Sequence, residues 1–303
     1  MQKAMRGPDH PNPIERLRTE TEDAFNWLAA GLDCQLSVTF VPNPGNIGDA
    51  IINLACWKFL DATFKKVEIC SSAERPGAEY VFVGGGGNFV EPLYKNIASL
   101  VGRLEPHQRI FIFPSTIYGY SEILGRIGPR ARIVCRDAIS FRFVQDHMAA
   151  DDVRLGHDAA FAVGPQLVNE YADRIARRSS LEARLYRTDR ERALSDAGGL
   201  DIMGQLYSDW LDMTVAESAM RLAVKYILGF GRIHTDRLHC AILSAILGRE
   251  TILYPNSYFK NGAVFDHSLS RIPNVRFDRE RAVQSDPALD PVAFHKNSER
   301  PAQ

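Results

Sequence analysis

Nothing in this 303-residue chain approaches the roughly 18 consecutive apolar residues that a membrane-spanning helix needs. Its N-terminus, MQKAMRGPDHPNPIERLRTE, also lacks the apolar core of a signal peptide, so the sequence points to a protein of the cytoplasm. An excess of either charge is missing too: 36 Lys plus Arg stand against 37 Asp plus Glu, a formal net charge of -1. That balance gives no global attraction to nucleic acid or to an anionic membrane, and any anion site must be local. Cysteine is scarce. Cys34, Cys56, Cys70, Cys135 and Cys240 are scattered and odd in number, with no CxxC pair. This argues against a disulfide framework or a zinc ribbon and leaves reduced core thiols. No Asp/His cluster has metal-ligand spacing, so no metal is expected. The nucleotide fingerprints are absent as well. No GK[ST] follows Gly45 to Asp49, and Phe89 and Val90 stand where G-x-G-x-x-G would place its last glycine, which argues against a P-loop and a nicotinamide cofactor.

What is present is an alternation of strands and helices. An amphipathic helix is expected over Glu15 to Leu32, then a strand over Leu36 to Val41 and a helix over Asp49 to Ala62. Lys66 to Cys70, Tyr80 to Val83, Arg109 to Phe113 and Arg132 to Cys135 read as short β-branched strands, several apolar on both faces as in a parallel sheet. Ala138 to Met148 reads as a helix, and Gly156 to Phe161 closes a first unit. The polar stretch Tyr171 to Arg192 reads as a solvated face or linker. A second alternation follows: a strand over Glu182 to Arg187, a helix over Met213 to Leu228, and strands over Glu250 to Tyr254 and Val275 to Phe277. The tail after Asp278 is polar. The expected architecture is α/β, two Rossmann-like domains over residues 1–165 and 166–303 with a ligand cleft between them at the carboxyl ends of the strands.

The segment Gly231 to Gly248, GRIHTDRLHCAILSAILG, carries the strongest chemical signal. A strand end, Ile233 to Thr235, hands over to a buried helix whose start holds Arg237 and His239. A guanidinium and an imidazole there would join the free N–H groups of the helix start in a site suited to a small anion. Other strand ends carry polar groups. Asn46 and Asp49 lie in a two-glycine loop, with Asp49 able to cap the following helix. Four glycines, Gly84 to Gly87, follow Val81 to Val83, and so costly a run favours close approach of a ligand or another segment. Ser115 and Thr116 end one strand and Arg136 another. Arg136 is suited to fork onto a carboxylate or phosphate, or to pair with a neighbouring acid, and Asp137 can cap the next helix.

Taken in order, these segments resemble the polysaccharide pyruvyl transferase family. The match runs from about Val38 to about Phe265. It rests on Asn46, Gly48 and Asp49, on Val81 to Asn88, Pro114-Ser115-Thr116, Arg136-Asp137, Asp158, Arg187 with Asp189, Thr235-Asp236-Arg237-Leu238-His239, and Asn256 to Lys260. Two departures stand in the last block, where Pro255 replaces an acidic residue and Phe259 the glycine before the lysine.

The resemblance implies a GT-B-like arrangement, phosphoenolpyruvate as donor substrate with no separate cofactor, and a sugar diol of a polysaccharide or lipid-linked oligosaccharide as acceptor. It implies donor binding by Arg237, Leu238 and His239 with help from Arg136. The residues then suggest roles: the two arginines clamp the donor's anionic groups, and His239, whose imidazole can give and take a proton, is the general acid. The acceptor side of the cleft falls to Asn46, Gly48, Asp49, Gly85, Gly86, Asn88, Ser115, Thr116, Tyr258 and Lys260. A lipid-linked acceptor would bring peripheral membrane contact, with Arg174 to Arg192 as the segment to test. Two other readings stay open at this level: a nucleotide-sugar glycosyltransferase of the same form, with Asp266 or Glu250 on the ribose, and an inactive binding subunit of a polysaccharide assembly complex.

Overall fold

The structure is a computed structural model that describes residues 12–149, 152–177, 179–194 and 198–280. The lead-in before residue 12 and the polar tail from 281 onward lie outside the described residues. The first half contains α1 (Pro13–Ala29), β1 (Ser37–Val41), β2 (Gly45–Asn46), α2 (Ile47–Thr63), β3 (Lys66–Ile69), β4 (Tyr80–Val83) and β5 (Gly86–Val90). It continues with α3 (Asn96–Val101), β6 (Arg109–Tyr118), α4 (Ser121–Ile127), β7 (Ala131–Cys135), α5 (Ala138–Gln145) and β8 (Val153–Leu155). Then come α6 (Gly164–Glu170), α7 (Ala172–Ala176), β9 (Glu182–Leu185), β10 (Tyr207–Ser208), α8 (Met213–Ile227), β11 (Arg232–Thr235), α9 (Leu238–Ile246), β12 (Glu250–Leu253), α10 (Lys260–His267) and β13 (Val275–Phe277).

Seven strands form one parallel sheet in the order β3-β1-β4-β6-β7-β8, with β5 paired to β6, and four form a second in the order β13-β12-β11-β9. The fold is thus α/β with a large parallel sheet. Its strands are apolar on both faces because both are covered. On β4 and β6, Phe82, Phe111 and Phe113 point to one side and Val81, Val83, Ile110 and Ile112 to the other. The phenylalanines form a cluster with Phe25 of α1, Phe25 and Phe113 meeting edge to face at 4.9 Å and Phe82 stacking on Phe111 at 4.7 Å. This core continues without a break through α2 into Met220 and Ala223 of α8 and Ala241 and Ile242 of α9.

Local sequence explains the element starts. Asn46 and Asp49 form a reciprocal capping box at α2, with Gly48 N–H donating to Asn46 Oδ1 (2.8 Å) and Asn46 N–H to Asp49 Oδ2 (2.9 Å). Asp137 caps α5 by accepting from the Ser140 N–H (2.8 Å).

Three expectations are corrected. Strand β6 continues to Tyr118 rather than ending at Phe113. The stretch from Tyr171 to Arg192 is not uniformly solvated, since β9 runs through it and Arg187 and Glu191 are buried. Cys34 is exposed in the turn after α1, whereas the other four thiols are buried and all five are free. No helix among the described residues is long and apolar enough to cross a membrane, and no group of three or more His, Cys, Asp or Glu is placed there to hold a metal.

Candidate active site

The carboxyl ends of both sheets open onto one cleft of about 370 Å³. The first sheet delivers Asn46 and Asp49 from the start of α2, Gly87 and Asn88 from β5, and Arg136 from the end of β7. The second delivers Arg187 after β9, Arg237 and His239 at the start of α9, and Lys260 at the start of α10. A short antiparallel pairing of β2 with β10 ties the two sides together, and the buried Trp210 reinforces it by donating its indole N–H to Gly45 O (2.9 Å).

Arg136, Arg187, Arg237 and Lys260 are each held by a carboxylate. Arg136 is fully buried. Its Nε donates to Thr116 Oγ1 (3.0 Å) and its Nη1 to Asp158 Oδ2 (2.6 Å). Burial opposes ionisation of Asp158, but Arg136 and His239 outweigh it and hold that carboxyl well below the usual range. His239 Nε2 lies 3.5 Å from both Asp158 Oδ2 and Arg136 Nη1. Its other edge rests on α2: a Cβ added to Gly48 would fall 2.1 Å from His239 Nδ1, so the glycine leaves the room that the imidazole fills.

Arg237 pairs with Asp201 through Nε (2.9 Å) and Nη2, and with Asp189 through Nη1 (2.8 Å). Arg187 grips the same Asp189 through Nε (2.8 Å) and Nη2 (3.2 Å), and donates Nη1 to Glu191 Oε2 (2.6 Å). Glu191 is a buried hub that also receives Tyr94 Oη, Asn256 Nδ2 (3.1 Å) and Lys260 Nζ (2.5 Å). Burial pushes Lys260 down to about 8 despite Glu191, and the positive Arg187 and Arg136 add to the shift. Burial likewise pushes the Asp49 carboxyl up, against the attraction of His239, Lys260 and Arg136.

Of the residues singled out by sequence, Arg136, Arg237, Leu238, His239, Asn46, Asp49, Asn88 and Lys260 line this cleft together, joined by Gly87, Arg187 and Asp189 of the same segments. Six others are not among its lining residues. Ser115 donates to Phe113 O (2.8 Å), and Thr116 donates to Asp137 Oδ2 (3.0 Å) while accepting from Arg136, because the longer β6 carries both into the sheet. Gly85 packs on Pro114 O, where a Cβ would come within 2.5 Å, and Gly86 is required by its φ of +122°. Gly48 lies beneath His239, and Tyr258 is buried.

Glu191, Asp201 and Tyr94 escaped the sequence reading. A signal for Glu191 was present in the order Arg187, Asp189, Glu191 directly after a strand, where an arginine is followed by acids two and four residues on. Asp201, distant in sequence from Arg237, gave no local cue.

This geometry can bind a small polyanion and move protons beside it. The sequence profile of the polysaccharide pyruvyl transferases matches residues 46–258. A Bacillus subtilis (strain 168) protein named "Putative pyruvyl transferase EpsO" is 22% identical over 232 residues, 63% of this chain and 70% of that protein. The crystal structure of a functionally uncharacterised protein from Klebsiella pneumoniae subsp. pneumoniae superposes with a TM-score of 0.72 at 28% identity, covering 86% of this chain and 98% of the other. A family match over most of the chain, reaching from the α2 capping box at Asn46 to Tyr258, places this protein in the polysaccharide pyruvyl transferase family.

Proposed function

We propose that the cleft transfers the pyruvyl group of phosphoenolpyruvate to two hydroxyls of a sugar, forming a pyruvate ketal and releasing phosphate. The observation that carries this reading is the convergence of His239 with Arg136, Arg187, Arg237 and Lys260 on one cleft. Phosphoenolpyruvate carries two anionic groups, and a cleft on which Arg136, Arg187, Arg237 and Lys260 converge is matched to such a donor. In this reading the two sheets belong to two Rossmann-like domains in a GT-B-like arrangement, residues 1–165 on the acceptor side and 166–303 on the donor side.

The proposed chemistry starts with protonation of the enol carbon by His239, which creates an oxocarbenium-like centre at the carbon bearing the phosphate ester. One sugar hydroxyl adds there, and its proton goes to the imidazole of His239, which restores the acid. Departure of phosphate regenerates an electron-poor centre, the second hydroxyl adds, and its proton leaves with the phosphate. Asp158, 3.5 Å from His239 Nε2, orients the ring. Asn46, Asp49 and Asn88 face the donor residues and are assigned to the acceptor.

Phosphoenolpyruvate should raise the melting temperature of the protein and nucleotide sugars should not, since a ligand at 100 times its Kd stabilises the fold by about 2.7 kcal/mol. The reverse pattern would favour a glycosyltransferase, and no response to phosphoenolpyruvate at millimolar concentration a binding subunit.

Two further outcomes follow from the geometry. Lys260 is cationic below about pH 8 and neutral above it, so the KM for phosphoenolpyruvate should climb as the pH passes 8. Lys260→Met should flatten that climb; an identical pH profile would remove Lys260 from donor binding. Gly48→Ala adds a methyl where His239 Nδ1 lies. Alanine is the better helix former, yet kcat should fall on the order of 10²-fold because the imidazole is forced aside. An unchanged kcat would mean that His239 need not occupy its observed position.

A further inference from the structure

Tyr207 is 75% exposed, the most exposed large hydrophobic side chain among the described residues, and it lines the cleft. A large ring left in water at the edge of a ligand cleft points to a contact in a way that a single exposed leucine elsewhere does not. The exposure is built into the backbone. Tyr207 belongs to β10, where it pairs directly with Asn46 of β2, so the two side chains share one face of that ribbon.

Anchors on both sides hold the segment in place. Upstream, Asp201 receives the Gly204 N–H (2.9 Å) and pairs with Arg237, and Met203 is buried. Downstream, the buried Trp210 bonds to Gly45 O and has a φ of +55°, a conformation that a residue with a Cβ adopts only where its surroundings impose it. Between these anchors the Tyr207 ring joins none of the hydrophobic clusters of the described residues. It stands at the cleft edge on a fixed strand.

We propose that Tyr207 is the platform on which the acceptor sugar stacks, a placement that rests on the functional reading above and adds which residue positions the acceptor ring. A pyranose presents a face of C–H bonds and a rim of hydroxyls. The C–H face is slightly positive and meets the electron-rich face of an aromatic ring, which repels the anionic groups of the donor. The hydroxyl rim stays free to reach Asn46, Asp49 and Asn88, which line the same cleft. An apolar surface for contact and a few polar groups for orientation are the usual division of a small-molecule site. The pairing of Tyr207 with Asn46 also ties the platform to the start of α2, where Gly48 seats the imidazole of His239. A sugar stacked there is held in register with the proton donor.

The test uses the full chain, Tyr207→Ala and Tyr207→Phe, with a panel of methyl hexopyranosides as probes. Saturation-transfer NMR reads sugar binding without turnover. At least one probe should receive saturation from the wild type on the C–H protons of one ring face, and that signal should fall away in Tyr207→Ala. In ketal formation the acceptor KM should rise about tenfold in Tyr207→Ala, the order of a lost aromatic contact, with the KM for phosphoenolpyruvate unmoved. Tyr207→Phe, which keeps the ring, should recover most of both losses. The melting temperature without ligands should stay level in both variants, because the side chain stands in solvent. The platform is overturned if no probe binds the wild type, if Tyr207→Ala binds sugar as the wild type does, or if Tyr207→Phe loses as much as Tyr207→Ala. A KM for phosphoenolpyruvate that rises in step, or a melting temperature that drops, would overturn it equally. Sugar binding that depends on Tyr207 in a protein whose melting temperature ignores phosphoenolpyruvate would keep the platform and overturn the pyruvyl-transfer reading instead.

Discussion

His239→Asn should lower kcat for pyruvyl transfer by about 10²- to 10⁴-fold, the usual worth of a positioned general acid, while the KM for phosphoenolpyruvate changes little. Asparagine keeps a polar group in the same place but cannot shuttle a proton. The surroundings of His239 favour that role over one in anion binding. Nε2 stands 3.5 Å from Asp158 and from Arg136, and the opposite edge of the ring is seated on the Gly48 backbone, so the imidazole is fixed on both sides. Wild-type turnover in this variant would show that another group moves the proton. The structure names that alternative: Lys260, which burial brings down to about 8. If Lys260→Met then abolished turnover while His239→Asn did not, the two roles would be exchanged.

Arg136→Ala should have two large effects that separate cleanly. The first is on stability. Arg136 and Asp158 form an ion pair with side chains 1% and 0% exposed, and removing the cation strands a carboxylate in the interior. Breaking a buried pair in this way costs about 3–5 kcal/mol, readable as a lower urea midpoint. Asp158→Asn in the same chain should recover part of the loss, because the uncompensated charge is gone while the oxygen that caps Ala160 remains. The second effect is on the donor: KM for phosphoenolpyruvate should rise in Arg136→Ala, and also in Arg237→Ala, whose Asp201 and Asp189 partners are less deeply buried. Normal KM values in both variants would remove the arginine clamp.

How far the site was legible in sequence depends on how local its causes are. The Asp137 cap and the Arg237–His239 helix start are set by residues within a few positions of one another and were readable, whereas at α2 the cap expected of Asp49 belongs to Asn46, with Asp49 completing the box from the first turn. Strand β5 was not readable, because Gly86-Gly87-Asn88 carries no strand pattern of its own; it becomes a strand only by pairing with β6, whose length was itself underestimated. The Arg-rich stretch misled for a related reason. Composition marks it as solvated, yet Arg187 goes under because Asp189 and Glu191 neutralise it and Lys260, far along the chain, completes the network. The glycine run divides by cause: Gly84 and Gly85 make room for Asn53 and Pro114, Gly86 is set by its backbone angle, and Gly87 lines the cleft.

The most direct test is to incubate the purified protein with phosphoenolpyruvate and a glycan acceptor and follow phosphate release together with the mass of the acceptor. Phosphate appearing in step with a ketal-bearing glycan, and both lost in His239→Asn, is the predicted result. Phosphoenolpyruvate left intact with every acceptor offered, or phosphate released without any gain in acceptor mass, would contradict it.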